Sequence, residues 1–392
     1  MKTLVITNYF PVINSGEDIF FSEEYLLLDD NFEVIPQLDH NSSLFLQKPN
    51  FQKVFIYVFS HFKAFLFMIK AVRLINLIQD LKYILRTLQA IYLLRKFDNT
   101  HNSFYTYWCG EYTLALSLLK KYCRKDIKII TRVHGVDYIK ERHSIDFFMR
   151  LFMFKSVDNI IVQCNWAKNY LSSYFKSIIT KLIVIPIGVH IPIIGLNFIE
   201  TSEIKFASCS NLISLKRVDL IIKTMINLAS NNVDKNIIYN IIGDGTELDS
   251  LKRLTKSLPK NLVVNYKGAI HNTELQNYYI NEGINYFIHL SKSEGGIPLS
   301  VQEALSCGMI IFVSESNCLS DLKYFKGGIF TFKEPIIDSI VSLQISQVLT
   351  QKLDILNSLS QKNRDLSQLH FSKLINSKKT IKKINEAFNY NN

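Results

Sequence analysis

Glu294 and Glu303 bracket a Gly-Gly-Ile-Pro turn and the first part of an amphipathic run, within Ser291-Lys-Ser-Glu294-Gly-Gly-Ile-Pro298-Leu-Ser-Val-Gln-Glu303-Ala-Leu-Ser-Cys-Gly308. Each carboxylate can accept two hydroxyl hydrogen bonds. A glycine-rich loop that opens a helix also exposes backbone amides, and such an end attracts phosphate. Ile284 to Leu290, just before, is β-branched and aromatic, so the order is strand, loop, helix.

Three further groups have the right residue types for chemistry. Lys216 and Arg217 follow a strand at Lys205 to Ser208 and lead into a helix. They could meet a phosphate, or they could be solvated surface charge. His134, followed by Gly135, stands where a strand ending at Val133 stops. There it can hydrogen-bond a hydroxyl or a phosphate, or it can be structural. Gly243-Asp-Gly245 also follows a strand, but a dinucleotide fingerprint would need a glycine where Leu248 stands and an acid where Lys267 stands. A tight strand-to-helix turn is the favoured reading of that pair, and a nicotinamide or flavin role is not expected.

The elements that must position these residues alternate almost throughout the chain, the pattern of parallel sheets covered by helices. Strands are expected at Thr3 to Thr7, Glu33 to Pro36, Ser103 to Trp108, Lys128 to Val133, Asn159 to Cys164 and Lys181 to Pro186. Helices are expected at Glu111 to Tyr122, Ser144 to Ser156 and Asn165 to Phe175. The alternation breaks at Gly188 to Glu203, which holds Pro192 and Gly195 and reads as a link. It then resumes with a helix at Val218 to Ser230, strand Ile237 to Ile242, helix Thr246 to Leu258, strand Leu262 to Lys267, helix Asn272 to Asn281, strand Ile284 to Leu290 and strand Met309 to Val313. The last sixty residues are mostly helical. The expected fold class is α/β, with two Rossmann-like doubly wound domains facing across a cleft into which strand ends send their loops. The domains are 1–192 and 204–370, with a C-terminal helix over 371–392 that could pack back on the first.

Composition excludes several classes. A chain of 392 residues with 48% apolar content, 14 Gly and 8 Pro is long enough for two cores and is not disordered. Its six cysteines form no C-x-x-C pair, which fits reduced thiols in the cytoplasm and no structural metal. The N-terminal Met1-Lys-Thr-Leu-Val-Ile-Thr reads as a core strand and not as a signal peptide. Net charge is +11, from 45 basic and 34 acidic residues. Part of that excess is local: eight basic residues and one acid, Asp80, lie between Lys53 and Lys96 among Phe, Leu and Ile. Lysines interrupt every window long enough to span a membrane, and no nucleic-acid motif accompanies them. Either this stretch lies on an anionic membrane surface, which would make the protein peripheral on the inner face, or its apolar residues are core.

Taken together, these motifs resemble the retaining nucleotide-sugar glycosyltransferases of family 4, which have the glycosyltransferase-B fold. The resemblance runs through Phe10-Pro11, Gly16-Glu17, Tyr105-Thr-Tyr-Trp108, His134-Gly-Val-Asp137, Ile185-Pro-Ile-Gly188-Val189, the Lys216 segment, Ile242 to Leu248, Lys267-Gly268 and Glu294 to Gly308. It implies a transferase that moves a sugar from a nucleotide-diphosphate donor to a glycan or lipid-linked acceptor in bacterial surface polysaccharide synthesis, without a metal or other cofactor. The alternatives are a nucleotide-sugar epimerase of the same fold and a non-catalytic glycan- or nucleotide-binding partner. Glu294 matches the glutamate that contacts the donor sugar, and Glu303 the one that binds the ribose. Gly295, Gly296 and Ile297 would offer amides, Lys216 would neutralise the departing phosphate, His134 would stand on the acceptor side, and Gly16 would lie in a flexible first loop. Three features depart from the family pattern. Eight residues separate the glutamates where seven are usual, Asn211 replaces an arginine (with Arg217 as the available substitute), and Ser316-Asn317-Cys318 replaces a Gly-Gly turn.

Overall fold

The structure, a computed structural model, describes residues 2–7, 17–36, 62–70, 72, 77–97, 100–139 and 147–389. Gly16, the Phe10-Pro11 pair, and Lys53, His61 and Arg73 of the basic stretch lie outside the described residues. The chain forms two compact units, Met1–Ile185 with Ser377–Asn392, and Pro186–Asn376.

In the first unit six parallel strands, β1 (Thr3–Thr7), β2 (Phe32–Pro36), β3 (Ser103–Thr106), β4 (Lys128–Arg132), β5 (Asn159–Val162) and β6 (Leu182–Val184), line up in the order β2-β1-β3-β4-β5-β6. Every residue of β1 and β3 is buried. This follows from helices covering both faces of a parallel sheet, so its strands must be apolar without alternation. Those helices are α1 (Glu17–Leu26), α2 (Phe62–Lys70), α3 (Leu77–Leu94), α4 (Glu111–Tyr122), α5 (Gly135–Tyr138), α6 (Phe147–Ser156) and α7 (Asn165–Tyr174).

Among the described charged residues buried in this unit, Arg132 is the most completely sealed. Arg132, fully buried at the end of β4, donates to Glu24 (2.6 Å), the Tyr105 hydroxyl (3.2 Å), the Ile185 carbonyl (3.1 Å) and Thr380 (2.9 Å). Tyr105 in turn donates to Glu24 at 3.1 Å. A buried guanidinium is tolerable only when its fork is filled in this way. The network also pins the last helix, whose Ile384 and Phe388 join the core of Val5, Phe21 and Tyr107.

The second unit repeats the plan with β7 (Glu203–Cys209), β8 (Asn236–Ile242), β9 (Leu262–Gly268), β10 (Tyr286–His289), β11 (Ile310–Ser314) and β12 (Ile329–Phe332), ordered β12-β11-β10-β7-β8-β9. This is the doubly wound order in which the first and fourth strands, here β7 and β10, lie side by side where the winding reverses. Its helices are α8 (Val218–Asn231), α9 (Leu248–Leu254), α10 (Asn272–Asn281), α11 (Leu299–Cys307), α12 (Asp338–Leu349) and α13 (Leu353–His370), followed by α14 (Lys373–Phe388), which continues into the first unit.

Two differences from the sequence reading have simple causes. β12 was not foreseen, because Ile329–Phe332 is only four residues long and follows Gly327-Gly328, too short for periodicity to distinguish it from a turn. Helix α9 is shorter than the expected Thr246 to Leu258, since it begins only after the Gly243-Asp-Gly245 turn has been completed at Glu247. That turn needs glycine. Gly243 has φ +126°, and a Cβ there would sit 1.9 Å from the Ser210 carbonyl oxygen. The segment read as a link packs on the second unit: Val189 pairs with Ser372, and Gly188 (φ +85°) lies so close to Phe371 and Lys373 that a side chain would not fit.

Candidate functional site

The loops after β7 and β10 leave neighbouring strands at the winding reversal, so their side chains meet. Lys216 Nζ donates to Glu294 Oε1 at 2.5 Å. His289, the last residue of β10, donates through Nε2 to the same oxygen at 2.9 Å. Glu294 Oε2 has no partner among the described residues. Burial pushes the Glu294 carboxyl up, but His289 and Lys216 outweigh it and hold the group down at about 2. The site therefore offers a fixed, ionised carboxylate with one oxygen clamped and the other open, beside an ammonium with two further N–H donors.

The loop that carries Glu294 is itself anchored. Ser314 and Ser316 both donate to the Ser291 carbonyl, at 2.7 and 2.6 Å, and Asn317 donates to the Ser293 hydroxyl at 2.8 Å. Asn317 adopts φ +43°, a conformation asparagine tolerates better than most residues. Ser316 and Asn317 thus combine a left-handed backbone at Asn317 with side-chain ties to the Glu294 loop.

The eight residues between the glutamates divide equally. Residues 295–298 form a bent loop, and residues 299–302 form the first turn of α11. Gly295 and Gly296 lie in the bend, half-buried, while the Ile297 side chain enters the core beneath α11 and its carbonyl accepts from Gln302 at 2.6 Å. Glu303 sits one turn into the helix in a different environment. Among the described residues its carboxylate has one hydrogen bond, a long one of 3.5 Å from Asn272, and burial pushes the carboxyl up to about 7. Cys209 and Tyr279 lie close enough to feel its charge, and neither neutralises it.

Arg217 turns away from the Lys216 cluster. It caps α8 with φ 51°, donates to the Leu290 carbonyl at 2.5 Å and forms a two-point pair with Glu334 at 3.2 and 2.6 Å. It therefore braces the β10 loop. A cavity of about 290 Å³ opens beside it, where Arg217 and Lys292 face Asp219 and Glu247.

His134 lies in the first unit, buried after β4. Its Nε2 donates to the Tyr107 carbonyl at 3.0 Å, its Nδ1 accepts from Gln163 at 2.8 Å, and its ring stacks on Trp108 with centroids 3.9 Å apart. Its backbone N–H is bound by Asp137 at 2.9 Å. Burial, with Arg132 adding to it, holds the ring neutral, its pKa pushed down to about 3. Both ring nitrogens are thus committed within the protein.

The structure brings Lys216 and Glu294 together, places Glu303 in the same unit, commits Arg217 to Glu334, and leaves Gly16 outside the described residues. Sequence reasoning missed His289, Asn272 and the Ser314-Ser316-Asn317 anchor. His289 carried a readable signal, a polar residue closing an apolar strand five positions before Glu294. Among the described residues no group of three or more His, Cys, Asp or Glu side chains could hold a metal ion.

Residues 196–342, which include Lys216, His289, Glu294 and Glu303, match the family model described as glycosyl transferases group 1. No curated protein sequence matches. Among solved structures, the apo form of the lipopolysaccharide outer core galactosyltransferase WaaB is 15% identical with a TM-score of 0.64, over 97% of this chain and 100% of that one. Anabaena Alr3699/HepE in complex with UDP is 11% identical with a TM-score of 0.63, over 98% of this chain and 100% of that one. A mutant of S. aureus TarM in complex with Fondaparinux, alpha-GlcNAc-glycerol and UDP is 14% identical with a TM-score of 0.58, over 76% of this chain, which spans only 59% of TarM. At these identities the likeness is one of fold: two parallel six-stranded sheets with flanking helices, the glycosyltransferase-B type.

Proposed function

We propose that this protein is a glycosyltransferase that moves a sugar from a nucleotide-diphosphate donor to a glycan or lipid-linked acceptor with retention of anomeric configuration, in the synthesis of a bacterial surface polysaccharide. The observation that carries the reading is the Lys216–Glu294–His289 cluster at the winding reversal of the second sheet, inside the segment that matches the family. Breaking a sugar–phosphate bond leaves a diphosphate and develops positive charge at the anomeric carbon. In this reading Lys216 and the amides of Gly295, Gly296 and Ile297 take the diphosphate charge. Glu294 Oε2 takes a sugar hydroxyl, held in place because Oε1 is clamped from two sides. Glu303 takes the ribose hydroxyls. The UDP complexes among the structures of similar fold make UDP the first nucleotide to try.

One observation favours a second reading, a nucleotide- or glycan-binding protein without turnover: the residue expected on the acceptor side, His134, has both ring nitrogens engaged internally. A thermal-shift screen against nucleoside diphosphates and nucleotide sugars, followed by NMR of the product's anomeric carbon, separates the two. Stabilisation by one nucleotide with a product of the donor's own anomeric configuration is expected. Nucleotide binding with neither transfer nor donor hydrolysis would leave the binding reading, and inversion would overturn retention.

A further inference from the structure

The basic stretch was open between a lipid-facing and a core role, and its described helices divide the two roles between opposite faces. Around α3, Tyr83, Thr87, Ala90 and Leu94 are buried. On the other side Ile78, Leu81 and Leu85 are 70%, 43% and 50% exposed. At 100° per residue these three fall within a 60° arc, and Lys82 and Arg86, also exposed, fall together on one flank of it, Arg86 reaching Glu111 of α4 at 3.4 Å while keeping most of its side chain in solvent. The shorter α2 repeats the design. Ala64 and Met68 are buried, Leu66 and Ile69 are exposed, and the exposed Lys63 and Lys70 fall on the same flank of their apolar stripe. Both helices pack their buried sides on α4. The only acid between residues 62 and 97 is Asp80, which is buried.

We infer that the outward faces of α2 and α3 form a docking surface for an anionic phospholipid membrane, with Leu66, Ile69, Ile78, Leu81 and Leu85 entering the acyl boundary while Lys63, Lys70, Lys82 and Arg86 meet the headgroup phosphates. A core has no use for two lysine-flanked stripes pointing away from it, whereas an interfacial helix needs apolar residues on one arc with cations beside them. No described helix is long and apolar enough to cross a membrane, so the mode is lying on the surface. The same cations disfavour a second copy of this chain as the occupant, because two such faces would repel. The inference stands whether or not the second unit transfers a sugar.

The test is co-sedimentation of the full chain with phosphatidylcholine vesicles, with and without phosphatidylglycerol, at low and high salt. The unaltered protein is expected to pellet with the phosphatidylglycerol vesicles and to be partly released by salt. Leu81→Ser with Leu85→Ser should weaken that binding by about tenfold or more, and Leu66→Ser with Ile69→Ser should do the same from the other helix. Lys63→Glu with Lys82→Glu should weaken it by at least about tenfold at low salt and little at high salt. Exposed positions should leave the thermal midpoint unchanged, which is read in parallel. Recovery of the unaltered protein in the supernatant at low salt would overturn the inference. So would serine variants that bind as before, or serine variants that convert a dimer to a monomer and so reveal a second copy as the occupant.

Discussion

The strand-end loops of the two units both bury chemically capable side chains, and they use them in opposite ways. After β4, the donor and acceptor of the His134 ring are matched by Tyr107 and Gln163, and the ring is stacked and neutral. After β10, Glu294 is just as enclosed, yet only one of its oxygens is spoken for and its charge is retained. A buried group whose hydrogen-bonding capacity is exhausted inside the protein behaves as scaffold, and one held rigidly with capacity to spare is ready for a ligand. Burial and strand-end position, which the two share, do not distinguish them. The count of partners does.

Removing the Glu294 carboxylate should give the largest effect. Glu294→Ala deletes the open oxygen together with the clamp, and sugar transfer should fall by about two to three orders of magnitude, as when one group aimed at the reacting centre is lost. Nucleotide affinity, which rests on other contacts, should fall far less. Transfer rates and calorimetric binding of the donor's nucleoside diphosphate measure the two. Equal losses in both would mean that Glu294 serves binding alone, and the contrast with His134 would lose its meaning.

For His134→Ala the comparison predicts an effect of another kind. The substitution empties a stacked, buried site and strands the Tyr107 carbonyl and the Gln163 amide, so stability should fall by about 2–4 kcal/mol. Thermal unfolding reads this directly. Stability should also decline as pH falls below about 6.5, because an unfolded chain takes up a proton there that the folded ring refuses down to about 3. A variant with an unchanged midpoint and abolished transfer would instead place His134 at the substrate and erase the distinction drawn between the loops.

Much of this is legible in the sequence. The alternation of apolar strands and helices located eleven of the twelve strands among the described residues, because parallel strands buried on both faces write continuous apolar runs into the chain. Lys216 and Glu294 could each be read as following a strand and so as lying on one edge of the second sheet, and the folded strand order makes those two strands neighbours. What could not be read was orientation. Lys216 and Arg217 are adjacent in sequence, yet one reaches Glu294 and the other Glu334, since the left-handed backbone at Arg217 turns its side chain away. His289 is legible as the polar residue that closes an apolar strand, but its bond to Glu294 is not, and the Arg132–Glu24 pair joins residues 108 positions apart. Such contacts arise only when the sheet is assembled, and no local pattern announces them.

The smallest predicted effect lies within the second unit and tests whether an open partner count also applies to Glu303. This carboxyl is buried like that of Glu294 but has only a distant Asn272 to hold it, so its pKa is pushed up to about 7 while that of Glu294 is held at about 2. The folded state therefore keeps a proton on Glu303 between about pH 4.5 and 7 that the unfolded chain has released, and the stability this gives is lost as pH rises through about 7. Glu303→Gln, which keeps the shape without the charge, should be nearly neutral at about pH 5 and stabilising by about 1–2 kcal/mol at about pH 8. Ligand binding should show the opposite trend. Ribose hydroxyls need acceptor oxygens, which a protonated carboxyl offers less well, so affinity for a UDP-sugar, whose phosphates do not titrate in this range, should rise by about tenfold from pH 6 to pH 8. In Glu303→Gln it should be flat. Calorimetry of UDP-glucose against both proteins across that range decides the point. A pH-dependent rise that survives in Glu303→Gln would show that another group governs binding, and a flat profile in the unaltered protein would remove Glu303 from the ribose altogether.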